Sequence, residues 1–299
     1  MAKKIFLRKM KKKFPHFFVG ATIFFWASGA AVAKLLLRNL SNFQVLFFTS
    51  FFATIALFFA AFFAGKLKLI KNLRPRDFFV FAKMGFCGIF LYYIFLYAGL
   101  ARAPAAEIFI VNYSWPIWTV IFSIFILREK FTLRRFYAIL CGFCGVAIIF
   151  LKENFFSIEN FRGHFCAILA AIFYGFFSAA GKKLKYDKIL AMFFYFLFGF
   201  FFVAPIAIFR GEIPILNFFE FAGILWLGVF CSGAGFLFWF FALQNSDTAK
   251  MANLIFLTPF FSLVFIHFLV GEKIAISSVA GLFLIIFGIF LQNFSWKKK

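Results

Sequence analysis

Apolar stretches of about 20 residues recur along the whole chain, and short segments carrying most of the charge separate them. They fall at residues 16–37, 43–64, 78–100, 105–127 and 133–151, and then at 163–182, 189–209, 220–243, 250–270 and 275–294. At 1.5 Å rise per residue, such stretches reach across a hydrocarbon layer ~30 Å thick. They do not alternate polar and apolar positions as the strands of a membrane β-barrel would. A backbone in lipid must satisfy its own hydrogen bonds, so the pattern predicts an all-α, polytopic membrane protein with ten transmembrane helices. The connections are short and leave no room for a soluble domain. The first stretch follows a basic segment, Lys3 to Lys13, and runs to Ala31-Val32-Ala33, which is the outline of a cleavable signal peptide. It is longer than the apolar core of such a peptide, and an uncleaved first helix is expected.

Charge gives the orientation. With the N-terminus inside and ten helices alternating, 24 of the 32 Lys and Arg residues fall in inside segments and seven outside, Lys83 lying within the third helix. This bias predicts a multi-pass protein of the cell membrane with both termini cytoplasmic. In a soluble protein the net charge of +22 would suggest nucleic acid. Here orientation accounts for it, and no nucleic-acid partner is expected. A composition of 65% apolar and 14% charged residues carries too little charge for a soluble surface. All five cysteines lie in apolar stretches, and Cys141-x-x-Cys144, beside Gly142 and Gly145, is read as helix packing rather than a redox or metal site. Gly281 and Gly288 are expected to pack in the same way. No phosphate-binding Gly loop, G-x-S-x-G or H-E-x-x-H is present. Neither a cofactor nor a metal nor enzymatic chemistry is expected.

The chain carries an internal repeat. A shift of 143 residues takes Leu100 to Leu243, Ala106 to Ala249, Pro116 to Pro259, Glu129-Lys130 to Glu272-Lys273 and Gly145 to Gly288. A shift of 148 takes His16 to His164, Phe25 to Phe173 and Trp26 to Tyr174. Two units follow, 16–151 and 163–294, each with five helices. An odd number of helices makes the second unit enter from the opposite side, which is an inverted-topology repeat. In such folds substrate binds near the midplane, where the repeats meet.

Polar groups inside transmembrane helices face the bundle interior or a cavity. Asn112 and Asn253, one on each Pro-bearing helix, are candidates to hold the polar end of a substrate beside carbonyls that Pro116 and Pro259 leave unpaired. Interhelical hydrogen bonding is the competing role. Pro116 and Pro259 mark candidate hinges. Trp26, Tyr92, Tyr113, Trp115 and Tyr174 are aromatic groups with polar handles away from most span ends, suited to stacking on an aromatic, apolar or cationic substrate. Glu107 is a candidate coupling or amine-binding acid, or else a first-turn acid paired with Arg102. Glu129 and Glu272 close the Pro-bearing helices and are read as structural.

The sequence resembles the EamA branch of the drug/metabolite transporter superfamily, through Pro116 with Leu127-Arg128-Glu129-Lys130 and Thr258-Pro259 with Gly271-Glu272-Lys273. The segment from Glu107 to Pro116, with its Val111-Asn112-Tyr113-Ser114-Trp115-Pro116 run, is similar to the fourth helix of aromatic amino-acid exporters. The resemblance implies ten helices, alternating access and a central cavity to which Tyr92, Tyr113, Trp115 and Tyr174 contribute. The expected function is secondary transport of a small metabolite, with export of aromatic or other apolar amino acids as the leading substrate class. The alternatives are a flippase for a lipid or lipid-linked sugar and, less favoured, a membrane enzyme that modifies lipid. The expected partners are the bilayer and a small-molecule substrate, and a homodimer is compatible with this reading. Asn112→Leu is expected to insert normally, because Leu is cheaper than Asn in lipid, and to lose transport. Undiminished flux through the inserted variant removes Asn112 from the site.

Overall fold

The computed structural model describes residues 2–100, 102–103, 105–130, 132–150, 160–210, 213–244, 246–271 and 276–293. Its regular elements are helices throughout the described residues. In the first half these are α1 (Ala2–Leu36), α2 (Asn42–Phe63), a 3₁₀ turn (Leu67–Asn72) and α3 (Pro75–Gly85). A π-helical segment (Phe86–Leu91) leads into α4 (Tyr92–Leu100), followed by α5 (Ala105–Asn112), α6 (Trp115–Leu127) and α7 (Leu133–Phe150). The second half holds α8 (Phe161–Lys183), α9 (Lys188–Phe209), α10 (Phe218–Leu225), a second π-helical segment (Trp226–Ala234) and α11 (Gly235–Gln244). It ends with α12 (Thr248–Ile255), α13 (Leu257–Val270) and α14 (Ile276–Asn293). Among the described residues, seven helical stretches are long and apolar enough to cross a membrane: Phe14–Ala33, Asn42–Phe63, Pro75–Gly99, Phe161–Lys183, Lys188–Phe209, Phe218–Gln244 and Thr248–Leu269. Trp115–Leu127 and Val279–Leu291 are shorter apolar helices.

Local chemistry sets the ends and breaks of these helices. Ser41 accepts from the Gln44 amide while the Gln44 side chain accepts from the Ser41 amide at 2.7 Å, so α2 starts on a reciprocal cap. Asp187 accepts from the amides of Ile189 and Leu190 and starts α9. Proline cannot donate to the carbonyl four residues before it, and its ring crowds that turn. The helix is therefore interrupted at Tyr113–Ser114, ahead of Pro116, and at Phe256, ahead of Pro259. The breaks expected at the two prolines thus sit two to three residues N-terminal to them. One consequence is that Asn112 ends α5 while Trp115 begins α6, so the two do not lie on one continuous helix face. α6 stops on Arg128 and α13 on Gly271, with φ of 57° and 82°. Both are left-handed caps, a conformation that suits glycine and strains a residue with a Cβ.

Close packing relies on small residues. α7 lies along α14, and a Cβ added at Gly145 would stand 2.6 Å from the Gly281 carbonyl oxygen, while one at Gly288 would stand 2.6 Å from that of Ala138. Gly142 instead receives Phe256, whose Cδ2 would be 2.3 Å from a Cβ there. The five cysteines are free thiols, and Cys141 packs against Gly288. α2 packs on α9, α8 on both α4 and α6, and α1 on both α11 and α13. The largest buried cluster lies between these helices and includes Trp115, Tyr174, Phe177, Trp239 and Phe240.

Gly145→Leu is expected to separate α7 from α14 and lower stability by about 1–3 kcal/mol, read as a fall in melting temperature. Gly20→Ala, where nothing lies within 4 Å of the added carbon, is expected to leave it unchanged.

Candidate functional site

α1 is fastened to the second π-helical segment by polar side chains. The Trp26 indole N–H donates to the Cys231 carbonyl at 3.0 Å, and the Trp226 indole N–H donates to Ser28 Oγ at 3.1 Å. Thr22 Oγ1 lies 3.2 Å from the Gly235 carbonyl oxygen. π-helical turns of this kind are frequent at functional sites. Here the segment supplies the Cys231 carbonyl to α1, and Gly235, the first residue of α11, faces the indole of Trp26. A Cβ at Gly235 would stand 2.7 Å from Trp26 Nε1.

These contacts hold Trp26 against a nest of rings drawn from four further parts of the chain. Trp115 from α6 lies 4.8 Å from Tyr174 of α8 and 5.3 Å from Trp239 of α11, both edge-on. Trp26 completes the group at 6.0 Å from Trp115, 6.1 Å from Tyr174 and 5.5 Å from Phe236. Tyr92 from α4 stacks obliquely on Tyr174 at 4.8 Å. Edge-to-face geometry at these separations is the favoured arrangement for aromatic pairs. Trp115, Tyr174 and Trp239 are 4%, 2% and 0% exposed, whereas Trp26 and Tyr92 are only partly buried, so the nest has a closed floor and a partly exposed edge.

Most buried polar atoms around the nest are satisfied. The Trp239 indole N–H donates to Ser178 Oγ at 3.0 Å, and Thr119 Oγ1 donates to the Trp115 carbonyl at 2.9 Å. Three buried atoms are left over: the Tyr174 hydroxyl, Asn112 Oδ1 and Thr258 Oγ1 accept or donate no hydrogen bond. Asn112 lies beside Tyr92. An unpaired polar group in an apolar interior costs about 1–3 kcal/mol. Such a cost persists where a ligand supplies the missing partner.

The structure brings Trp26, Tyr92, Trp115 and Tyr174 into contact and sets Asn112 next to Tyr92. Tyr113 borders a second buried cluster, which holds Val120, Ile139 and Ile285, while standing near Tyr92. Asn253 is not among the rings of the nest. Asn253, fully buried on α12, turns its Oδ1 toward Gly142 of α7, 3.0 Å from where a Cβ would stand. The Glu107 side chain lies outside the described residues. Sequence reasoning missed Trp239, Phe236 and Ser178. A mid-span Trp must find a partner for its N–H, and that signal was legible at 239. Tyr174→Phe is expected to keep or raise the melting temperature, by the equivalent of about 1 kcal/mol, because it removes an unpaired hydroxyl. A clear loss of stability shows instead that the hydroxyl is partnered.

The chain matches the EamA-like transporter family twice, over residues 13–151 and 161–294. It is 24% identical over 284 residues to an uncharacterized transporter of Archaeoglobus fulgidus, covering 93% of this chain and 96% of that one. It is 31% identical over 166 residues to the S-adenosylmethionine uptake transporter of Rickettsia felis, covering 55% of this chain and 53% of that one. A crystal structure 20% identical in sequence matches with a TM-score of 0.82, covering 93% of this chain and 97% of the other, which establishes the likeness of fold. Seven apolar helices long enough to cross a bilayer, together with a family match over nearly the whole chain, make this a multi-pass membrane protein that belongs to the EamA-like transporter family.

Proposed function

We propose that the protein is a secondary transporter of the cell membrane that moves a small metabolite by alternating access, through two inverted five-helix repeats at residues 16–151 and 163–294. Ten helical rods would cross the bilayer, with both termini cytoplasmic. Local irregularities support the repeat, because a shift of 143 residues carries them onto one another. It takes residues 86–91 into the second π-helical segment, Tyr113 onto Phe256, and the left-handed cap Arg128 onto Gly271. Packing follows the same rule. The α6–α8 pair corresponds to α13–α1, α4–α8 to α11–α1, and α2 on the second π-helical segment to α9 on the first. The α2–α9 and α7–α14 pairs are their own counterparts. Halves so related can exchange conformations at similar energy, which is the requirement for alternating access.

The observation that carries the substrate reading is the ring nest at the meeting of the repeats, with two unpaired polar atoms at its edge. Trp26 and Tyr174 are equivalents under the shift of 148, and they meet there. Rings of this kind stack on an apolar or aromatic side chain, while the Tyr174 hydroxyl and Asn112 Oδ1 offer partners to its polar end. The leading substrate class is an amino acid with an aromatic or other large apolar side chain, moved outward. The relative named for S-adenosylmethionine uptake favours a second reading. An adenine ring could stack in the same nest, and a sulfonium cation is attracted to the faces of Trp and Tyr.

Transport into proteoliposomes of labelled aromatic, aliphatic and polar amino acids and of S-adenosylmethionine decides between them. Saturable flux of one class, reduced at least tenfold by Trp115→Ala, is the expected result. Equal, non-saturable leakage of every compound removes the proposal.

A further inference from the structure

A cluster of charged groups remains at the end of the bundle away from the roles assigned above. Glu129, just past the end of α6, accepts from Lys182 Nζ at 2.6 Å and from Thr248 Oγ1 at 2.7 Å, and its other oxygen accepts from the Thr248 amide at 3.2 Å. Lys182, in the last turn of α8, also donates to the Ser246 carbonyl at 2.6 Å. Thr248 is fully buried and starts α12. One carboxylate therefore ties α6 of the first half to α8 and α12 of the second. Arg135 on α7 pairs with Asp247, which caps α12, and adds a second tie across the halves.

Three features set this cluster apart from an ordinary surface ion pair. The Lys182 and Glu129 side chains are only 13% and 19% exposed, so solvent screens them little. The backbone is bent to make the contact. Arg128 is the one non-glycine residue with positive φ among the described residues, and its counterpart under the 143-residue shift is a glycine, Gly271. Arg128 turns the chain so that Glu129 folds back onto α12, and strain of this sort persists where the surroundings hold it. Finally, the cluster closes the three helices that lead to the ring nest. Trp115 begins α6, Tyr174 lies on α8, and Met251, three residues beyond Thr248, packs in the same buried cluster as Trp115 and Trp239.

We propose that Glu129, Lys182 and Thr248 form a latch between the two halves, and that it shuts this end of the transport pathway. The inference rests on the alternating-access reading above, in which this end is cytoplasmic. In the conformation described the latch is closed. For the pathway to open toward this end, α6 must part from α8 and α12, and the three hydrogen bonds to Glu129 must break. The same acid that the sequence presents as a turn-fixing residue is then a determinant of which conformation is populated. Removing one partner of an enclosed charge pair disfavours the closed state, whereas exchanging the two charges restores attraction.

The test uses the full-length protein in nanodiscs, with Met251→Cys as reporter and a membrane-impermeant maleimide as probe. Peptide mass spectrometry reads labelling at each cysteine. Glu129→Gln is expected to raise labelling at position 251 by about tenfold, and the exchanged pair Glu129→Lys with Lys182→Glu to return it part of the way, because the Ser246 carbonyl and the Thr248 amide still favour the native arrangement. Buried Cys231, held against α1 and far along the chain from the latch, is expected to label no faster. Equal labelling at 251 with and without Glu129, or a parallel rise at Cys231 that marks general loosening, overturns the latch. A second measurement covers any variant that fails to fold. Glu129→Cys with Thr248→Cys, joined by a short cleavable cross-linker, is expected to stop flux until the linker is cut. Undiminished flux with the linker in place overturns the proposal. Should the unmodified protein move no compound, the transport reading fails while the labelling comparison still decides the latch.

Discussion

Every peptide group that crosses a hydrocarbon layer must find its hydrogen-bond partner within the protein. That constraint makes this chain helical, and it decides where the helices can depart from regularity. Among the described residues the main departures are two π-helical segments and the breaks ahead of Pro116 and Pro259. At each, carbonyls become available that a straight helix would use itself. Some are taken by side chains from elsewhere in the chain, as Trp26 takes the Cys231 carbonyl and Thr22 approaches that of Gly235. The irregular turns are thus also the joints between α1 and α11.

The two halves solve the same packing problem with different volumes. Trp26 of α1 faces Gly235, and its counterpart Tyr174 of α8 faces Tyr92, the counterpart of Gly235. A large ring against no side chain on one side is balanced by two mid-sized rings on the other. Trp26 meets both Trp115 and Trp239, and Tyr174 meets Trp115. The Tyr174 hydroxyl and Asn112 Oδ1 are left without partners on the Tyr174–Tyr92 side. A pocket built this way has a polar edge and an apolar floor, which is how orientation of a small ligand is normally fixed.

Charge is concentrated at the end where α6, α8 and α12 meet. Beside the Glu129 cluster, Lys188 donates to the carbonyls of Gly181 and Leu184 and closes the C-terminus of α8. Lys66 pairs with Asp187, and the Tyr186 hydroxyl donates to Asp77 at 2.7 Å. Burial and that hydrogen bond both push the Tyr186 hydroxyl up from its usual pKa. These contacts make the end of the bundle a polar seam rather than a loose set of orientation charges. The aromatic interior by contrast is held by shape, and the two kinds of closure respond to different changes.

The sequence by itself determined the helical fold, the places of the breaks and the repeat. Apolar length leaves helices as the solution in lipid, proline removes a donor wherever it occurs, and Pro116/Pro259 with Glu129/Glu272 keep one spacing. It also pointed to Trp26, Tyr92, Trp115 and Tyr174, because polar handles on aromatic groups demand partners in an apolar medium. Only the tertiary structure decided which way each side chain faces. A transmembrane helix is apolar all round, so its period does not separate lipid from interior. For that reason Asn253, an equal candidate to Asn112 on sequence, turns toward α7, and the helical period does not separate Trp239 from the phenylalanines around it. The joining of Glu129 to Lys182 and Thr248 was out of reach for the same cause. Residues 53 and 119 positions apart meet only when the two halves dock.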